Sequence, residues 1–163
     1  MYSQNKSSAG PRRTGYNRPV PTRLRMGLVM RRDMEFGELG DVEGALRAEG
    51  VGLAPISTGD ASLIASGVTV LATATAKDIV EGRLKGLIVP GGSTDEASLA
   101  AVKSMLDLAR ANDLIVIAFA DGVTLAAESF GVSAQADGAV FKDGAVTLLN
   151  DRADLSKVVG AIN

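Results

Sequence analysis

A chain of 163 residues, with 46% hydrophobic and 22% charged side chains, has the length of one domain and enough apolar residues for a core. It contains no cysteine and no histidine, which removes thiolate nucleophiles, imidazole bases, disulfides and nearly all zinc or haem ligation. The net charge of −2 hides a division, because residues 1–25 carry Lys6, Arg12, Arg13, Arg18, Arg23 and Arg25 with no acid, and the rest sets 11 basic residues against 19 acidic ones, or −8.

The first 25 residues also hold Pro11, Pro19, Pro21, Gly10 and Gly15 and show neither helical nor strand periodicity, so a basic disordered tail is expected over 1–25 and one folded domain over 26–163. Three readings of the tail stand side by side: a solvated extension, an arm for nucleic acid, anionic lipid or an acidic protein, and an Arg-rich transit peptide whose prolines spoil the amphipathic helix. No apolar run approaches the length of a membrane span, and the lack of cysteine fits a soluble protein of a reducing cytoplasm.

From Met26 onward, short apolar runs alternate with helical patterns. Met26–Met30 reads as a first strand, and 38–49 as a helix with Leu39, Val42, Ala45 and Leu46 on one face and Gly50 closing it. Val51–Ile56 and Gly67–Ala72 read as the second and third strands, and Gly86–Pro90 as a fourth that runs into Gly91-Gly92. A helix is expected over 94–111, capped by Thr94, with Leu99, Val102, Leu106 and Ala109 inward. Leu114–Phe119 is the most continuous apolar run, as a central strand requires, and a sharp turn at Ala120-Asp121-Gly122 leads into a helix over 123–130. A hairpin over 139–149 turns at Lys142-Asp143-Gly144, and Asp151 caps a last helix with Leu155, Val158, Val159 and Ile162 inward. This order predicts an α/β three-layer sandwich, flavodoxin-like, with a mostly parallel sheet, helices on both faces and a C-terminal hairpin. Ligands in such sheets lie beyond the carboxyl ends of the strands, here 31–36, 90–95 and 120–122.

Three segments at those ends resemble the DJ-1/PfpI (ThiJ) family of the class I glutamine amidotransferase-like superfamily. Leu87-Ile-Val-Pro-Gly-Gly92 is similar to the family's strand-PGG turn, whose second glycine gives a backbone N–H to an oxyanion hole. Ile117-Ala-Phe-Ala-Asp-Gly122 resembles the A-x-C-H-G elbow, with Ala120 at the nucleophilic cysteine and Asp121 at the neighbouring position. Met34-Glu-Phe-Gly-Glu-Leu39 is similar to the segment whose glutamate contacts that cysteine, which puts Glu35 there. The resemblance therefore implies a pocket of Glu35, Gly91, Gly92, Ala120 and Asp121 without a nucleophile. The chain is also shorter than the family between the elbow helix and the hairpin. In keeping this architecture without an elbow cysteine it is similar in kind to the C-terminal domains of large-subunit catalases.

The remaining residues offer little replacement chemistry. Thr124 has no base beside it, and Gly91-Gly92 lacks a following Lys-Ser/Thr for a phosphate loop. Glu35 and Asp121 admit three readings: an acid/base pair, a holder of a cation or of ligand donor groups, or remnants in which Asp121 caps the elbow helix. Arg31-Arg32 either balance those carboxylates or are solvated. No cofactor or metal is expected. The leading expectation is a non-catalytic regulatory or adaptor domain whose basic tail meets an acidic protein or nucleic acid. A small-molecule-binding module is the alternative, repurposed carboxylate chemistry comes last, and self-association into a homodimer is compatible with all three.

Overall fold

The computed structural model describes residues 25–36, 42–57, 62–65 and 68–162. Four parallel strands, β1 (Arg25–Val29), β2 (Gly52–Ile56), β5 (Gly86–Val89) and β6 (Ile115–Phe119), continue into an antiparallel hairpin, β7 (Gly138–Lys142) and β8 (Ala145–Leu148). The order across the sheet is β2-β1-β5-β6-β7-β8. Every residue of β5 and β6 is buried, and their side chains alternate between two cores. Leu87, Val89, Val116 and Ala118 face one core, and Ile88, Ile115, Ile117 and Phe119 face the other. Two covered faces make a continuous apolar run the right sequence for a central strand, and the three-layer α/β expectation is met.

Helices α2 (Ala76–Val80), α3 (Glu96–Ala111) and α4 (Asp121–Phe130) cover the first face. On α3, Val102, Met105, Leu106 and Ala109 are buried, which adds Met105 to the expected stripe and leaves Leu99 half-buried. Helices α1 (Val42–Ala48) and α5 (Arg152–Ile162) pack together over the second face, where Leu46, Leu155 and Val159 are buried. Leu39, expected on the first helix, lies outside the described residues, as do the side chains of Val42, Ala45 and Ile162.

The helix ends follow local chemistry. Past α1, Gly50 takes φ 79°, its N–H donates to Arg47 O and that of Val51 to Leu46 O, the paired closure expected of a C-terminal glycine. Asp151 caps α5 by accepting the Asp154 N–H at 2.9 Å. The cap of α3 is Asp95 rather than Thr94: the Asp95 carboxylate accepts the Ser98 N–H at 3.1 Å, three residues on, where Thr94 is one residue too early.

One further expectation changes and one helix is added. The predicted strand over 67–72 is not part of the main sheet. Val68–Leu71 (β4) instead pairs antiparallel with Ser62–Ala65 (β3) in a separate two-stranded sheet. Among the described side chains of β4, Thr69 and Leu71 are exposed, Leu71 to 61%, and Val70 leans on the core, unlike a central strand buried on both faces. Helix α2 was not anticipated, since five residues give too few positions for a period. Its signal was Thr75-x-x-Asp78, in which the Asp78 carboxylate accepts the Thr75 N–H at 2.8 Å.

Candidate functional site

The neighbouring strands β1, β5 and β6 end together, and each delivers part of one site. After β6 the chain turns at Ala120, with φ 52° and ψ −130°, and enters α4 at the next residue. That backbone conformation is nearly reserved for glycine and persists only where neighbours impose it. Here the Ala120 N–H donates to Asp137 O at 3.0 Å and Ala120 O accepts from the Val123 N–H at 3.1 Å. The elbow geometry of a displayed nucleophile is present around a methyl group.

The turn after β5 packs directly beneath it. A Cβ on Gly91 would lie 2.7 Å from Ala120 Cβ, 2.9 Å from Asp121 Oδ1 and 3.2 Å from Glu35 Cγ, so Glu35, Gly91, Ala120 and Asp121 meet at one point. Glu35 is tied there by its backbone, exchanging hydrogen bonds with Gly91 at 2.9 and 2.8 Å, and its side chain is exposed. Buried Met34 and the edge-to-face pair of Phe36 with Phe119, 5.4 Å apart, anchor this segment on the second core.

Arg31, which leaves β1 toward this point, is the centre of the arrangement. It is 2% exposed, the sole buried charged residue among the described residues. Its Nη1 donates to Pro90 O at 2.8 Å and Asp121 Oδ1 at 3.1 Å, and its Nη2 to Ser93 O at 2.8 Å and Asp121 Oδ2 at 3.2 Å. Asp121 Oδ1 also accepts the Gly92 N–H at 3.0 Å. A Cβ on Gly92 would come within 2.7 Å of both Arg31 Cβ and Arg32 O, so only glycine admits the arginine. The two-pronged pair is the strong form of a charge-assisted hydrogen bond.

Two expectations are corrected by this geometry. Asp121 does not cap α4: its carboxylate turns back to Arg31 and Gly92, and the helix start carries no side-chain cap. Arg31 is not solvated, because the carbonyls of Pro90 and Ser93 and the Asp121 carboxylate replace its water, whereas Arg32 is exposed. Adjacent arginines look alike in a sequence, and which one turns inward depends on the carbonyls of the turn after β5 and on the carboxylate at the β6 elbow.

The charge balance narrows the chemistry. Both oxygens of Asp121 are engaged by a cation, which weakens the acid/base and cation-holding readings of the Glu35–Asp121 pair. Among the described residues no group of three or more His, Cys, Asp or Glu side chains is placed to hold a metal ion. Thr124 is exposed on α4. Beside the site, the Ser93 hydroxyl, followed by hydrogen bonds from Ser98, lowers the Asp95 carboxyl to about 2. The tail residues Lys6, Arg12, Arg13, Arg18 and Arg23 lie outside the described residues, and Arg25, counted with the tail, opens β1 with an exposed side chain. No helix among the described residues is long and apolar enough to cross a membrane.

No family model and no curated protein matches the chain. Solved structures do. A protein described as protease I from Bacteroides thetaiotaomicron superposes with a TM-score of 0.62 at 10% identity, over 86% of this chain and 99% of that one. Oxidized DJ-1 from Toxoplasma gondii superposes at 0.55 with 15% identity, over 83% and 86% of the two chains. The fold is that of the DJ-1/PfpI proteins. An AraC family transcriptional regulator from Pseudomonas putida shares it, with a TM-score of 0.56, 12% identity and coverage of 84% and 88%.

Proposed function

We propose that this chain is a non-catalytic DJ-1/PfpI-fold domain that serves as a regulatory or adaptor protein, with its basic N-terminal arm engaging an acidic partner. One observation supports the loss of chemistry above the rest. The residue in the strained elbow is Ala120, and the Gly92 N–H, the donor the resemblance assigns to an oxyanion hole, is already spent on Asp121. Acyl transfer needs both a nucleophile and donors free to meet the developing oxyanion; at this elbow the nucleophile position is a methyl group and the Gly92 donor is taken. The fold's use in a protein named a transcriptional regulator is in keeping with a regulatory role.

The adaptor half of the reading rests on charge. Five cations without an acid over residues 1–24, joined to a body of −7 from Arg25 onward, suit a short-range electrostatic arm on a surface that repels other polyanions. Affinity purification of the full chain and of a chain beginning at Arg25, each with and without nuclease, tests it. A partner recovered only with residues 1–24 present is the expected result, with nuclease sensitivity separating nucleic acid from protein. Recovery of the same partners by both chains would refute an arm-dependent adaptor.

A further inference from the structure

We infer that Arg31 and the Gly92 N–H form a preformed seat for a small carboxylate, and that Asp121 is its tethered occupant. This inference rests on the non-catalytic reading of the same site and adds to it a ligand class and a built-in competitor. The first support is that the seat does not depend on its occupant. The guanidinium is held from behind by Pro90 O and Ser93 O, each at 2.8 Å, and the lack of a Cβ at Gly92 leaves room for it. Its two Nη groups are thereby fixed as a fork toward the α4 start, with the Gly92 N–H as a third donor.

The second support is a donor left over. Arg31 Nε is buried and has no hydrogen-bond partner, so Asp121 satisfies the two Nη groups and the amide but not the whole guanidinium. An orphaned buried donor is costly, and Asp121 does not relieve that cost. The third support is access: the Arg31 side chain is 0% exposed but that of Asp121 is 39% exposed, so the occupied side of the seat faces solvent. The α4 N-terminus adds its positive end at the same place.

The donor geometry selects the ligand. A planar two-oxygen anion matches the fork and the amide together. The exposed carboxylates of Glu35 and Asp95 stand at the same strand ends, which favours a singly charged carboxylate over phosphate. In the wild-type chain a free ligand competes with Asp121 at the high effective concentration of a tethered group. Removing the Asp121 side chain vacates the seat and uncovers its affinity.

The test is titration of full-length wild type, Asp121→Ala and Arg31→Met/Asp121→Ala with sodium formate, sodium acetate, sodium phosphate and sodium chloride at matched ionic strength, read by thermal shift. A saturable rise with formate and acetate is expected in Asp121→Ala. Its dissociation constant should be about tenfold or more below any wild-type response, given the loss of the tethered competitor, and the double variant should show none. Equal responses from Asp121→Ala and wild type, or the same shift with chloride or phosphate, would overturn the inference. Should Asp121→Ala not fold in chloride, refolding into formate becomes the readout, with recovery supporting the seat and no recovery overturning it. None of these outcomes depends on whether residues 1–24 bind a partner.

Discussion

Among the described residues four non-glycine residues, Asp33, Asp113, Ala120 and Asp143, take φ between 51° and 55°, and two of them, Asp143 and Ala120, do so for opposite reasons. Asp143, at φ 51°, sits with Gly144 at φ 79° in the two-residue turn between β7 and β8, where a type I′ hairpin requires that conformation and aspartate tolerates it. Ala120, at φ 52°, sits where no local turn chemistry asks for it, and tertiary partners impose it: the tether to Asp137, Gly91 beneath it and the Arg31–Asp121 pair beside it. The hairpin is a local structure that pins register. The elbow is a tertiary structure, held by partners far away in the chain, with an alanine at its strained position.

The largest effects come from crowding, which separates the two places sharply. Gly92→Ala puts a methyl 2.7 Å from the Arg32 carbonyl and Arg31 Cβ, and should cost about 3 kcal/mol or more in urea unfolding, as overpacking against backbone does. Gly144→Ala meets nothing within 4 Å and carries only backbone strain, so about 1 kcal/mol is expected. Equal costs would mean that the space around Arg31 is not tight.

Breaking the pair comes next. Asp121→Ala leaves a buried guanidinium with two fewer acceptor oxygens and should cost about 2 to 3 kcal/mol, less than a fully buried pair because Asp121 is part-exposed. Arg31→Met/Asp121→Ala should recover at least half of that in a double-mutant cycle, since no uncompensated charge remains. Strain relief is smaller and has the opposite sign. Ala120→Gly should stabilise by about 1 kcal/mol, whereas Asp143→Gly should be close to neutral.

The smallest effect concerns Asp95. Its carboxyl is lowered from 3.8 to about 2 by Ser93 and Ser98, so its stabilising contribution is present above pH 3.8 and is lost as pH falls through about 2. Asp95→Ala should lower the melting temperature slightly at pH 7 and leave it unchanged near pH 1.5, as scanning at both pH values would show.

These contrasts follow what was legible in the sequence. Where a rule is local the sequence was mostly legible, the Asp95 cap of α3 and the Thr75-x-x-Asp78 start of α2 excepted. The Asp143-Gly144 turn, Gly50 after α1, the Asp151 cap and the continuous run of β6 all depend on neighbours within a few positions. The meeting of Glu35, Gly91, Gly92, Ala120 and Asp121 was legible through the resemblance, which placed their segments at adjacent strand ends. The inward turn of Arg31 was not, because its partners lie 59 to 90 residues away along the chain. The pairing of β4 with β3 escaped for a related reason: strand propensity does not say which sheet a strand joins.

The proposed non-catalytic reading turns on Asp121 occupying the Gly92 N–H. Amide hydrogen exchange at Gly92, followed by NMR in wild type and Asp121→Ala, tests it most directly. The account expects slow exchange in wild type that becomes fast in the variant while the amides of β6 stay protected. Fast exchange at Gly92 in wild type, or equal protection in both proteins, would contradict it.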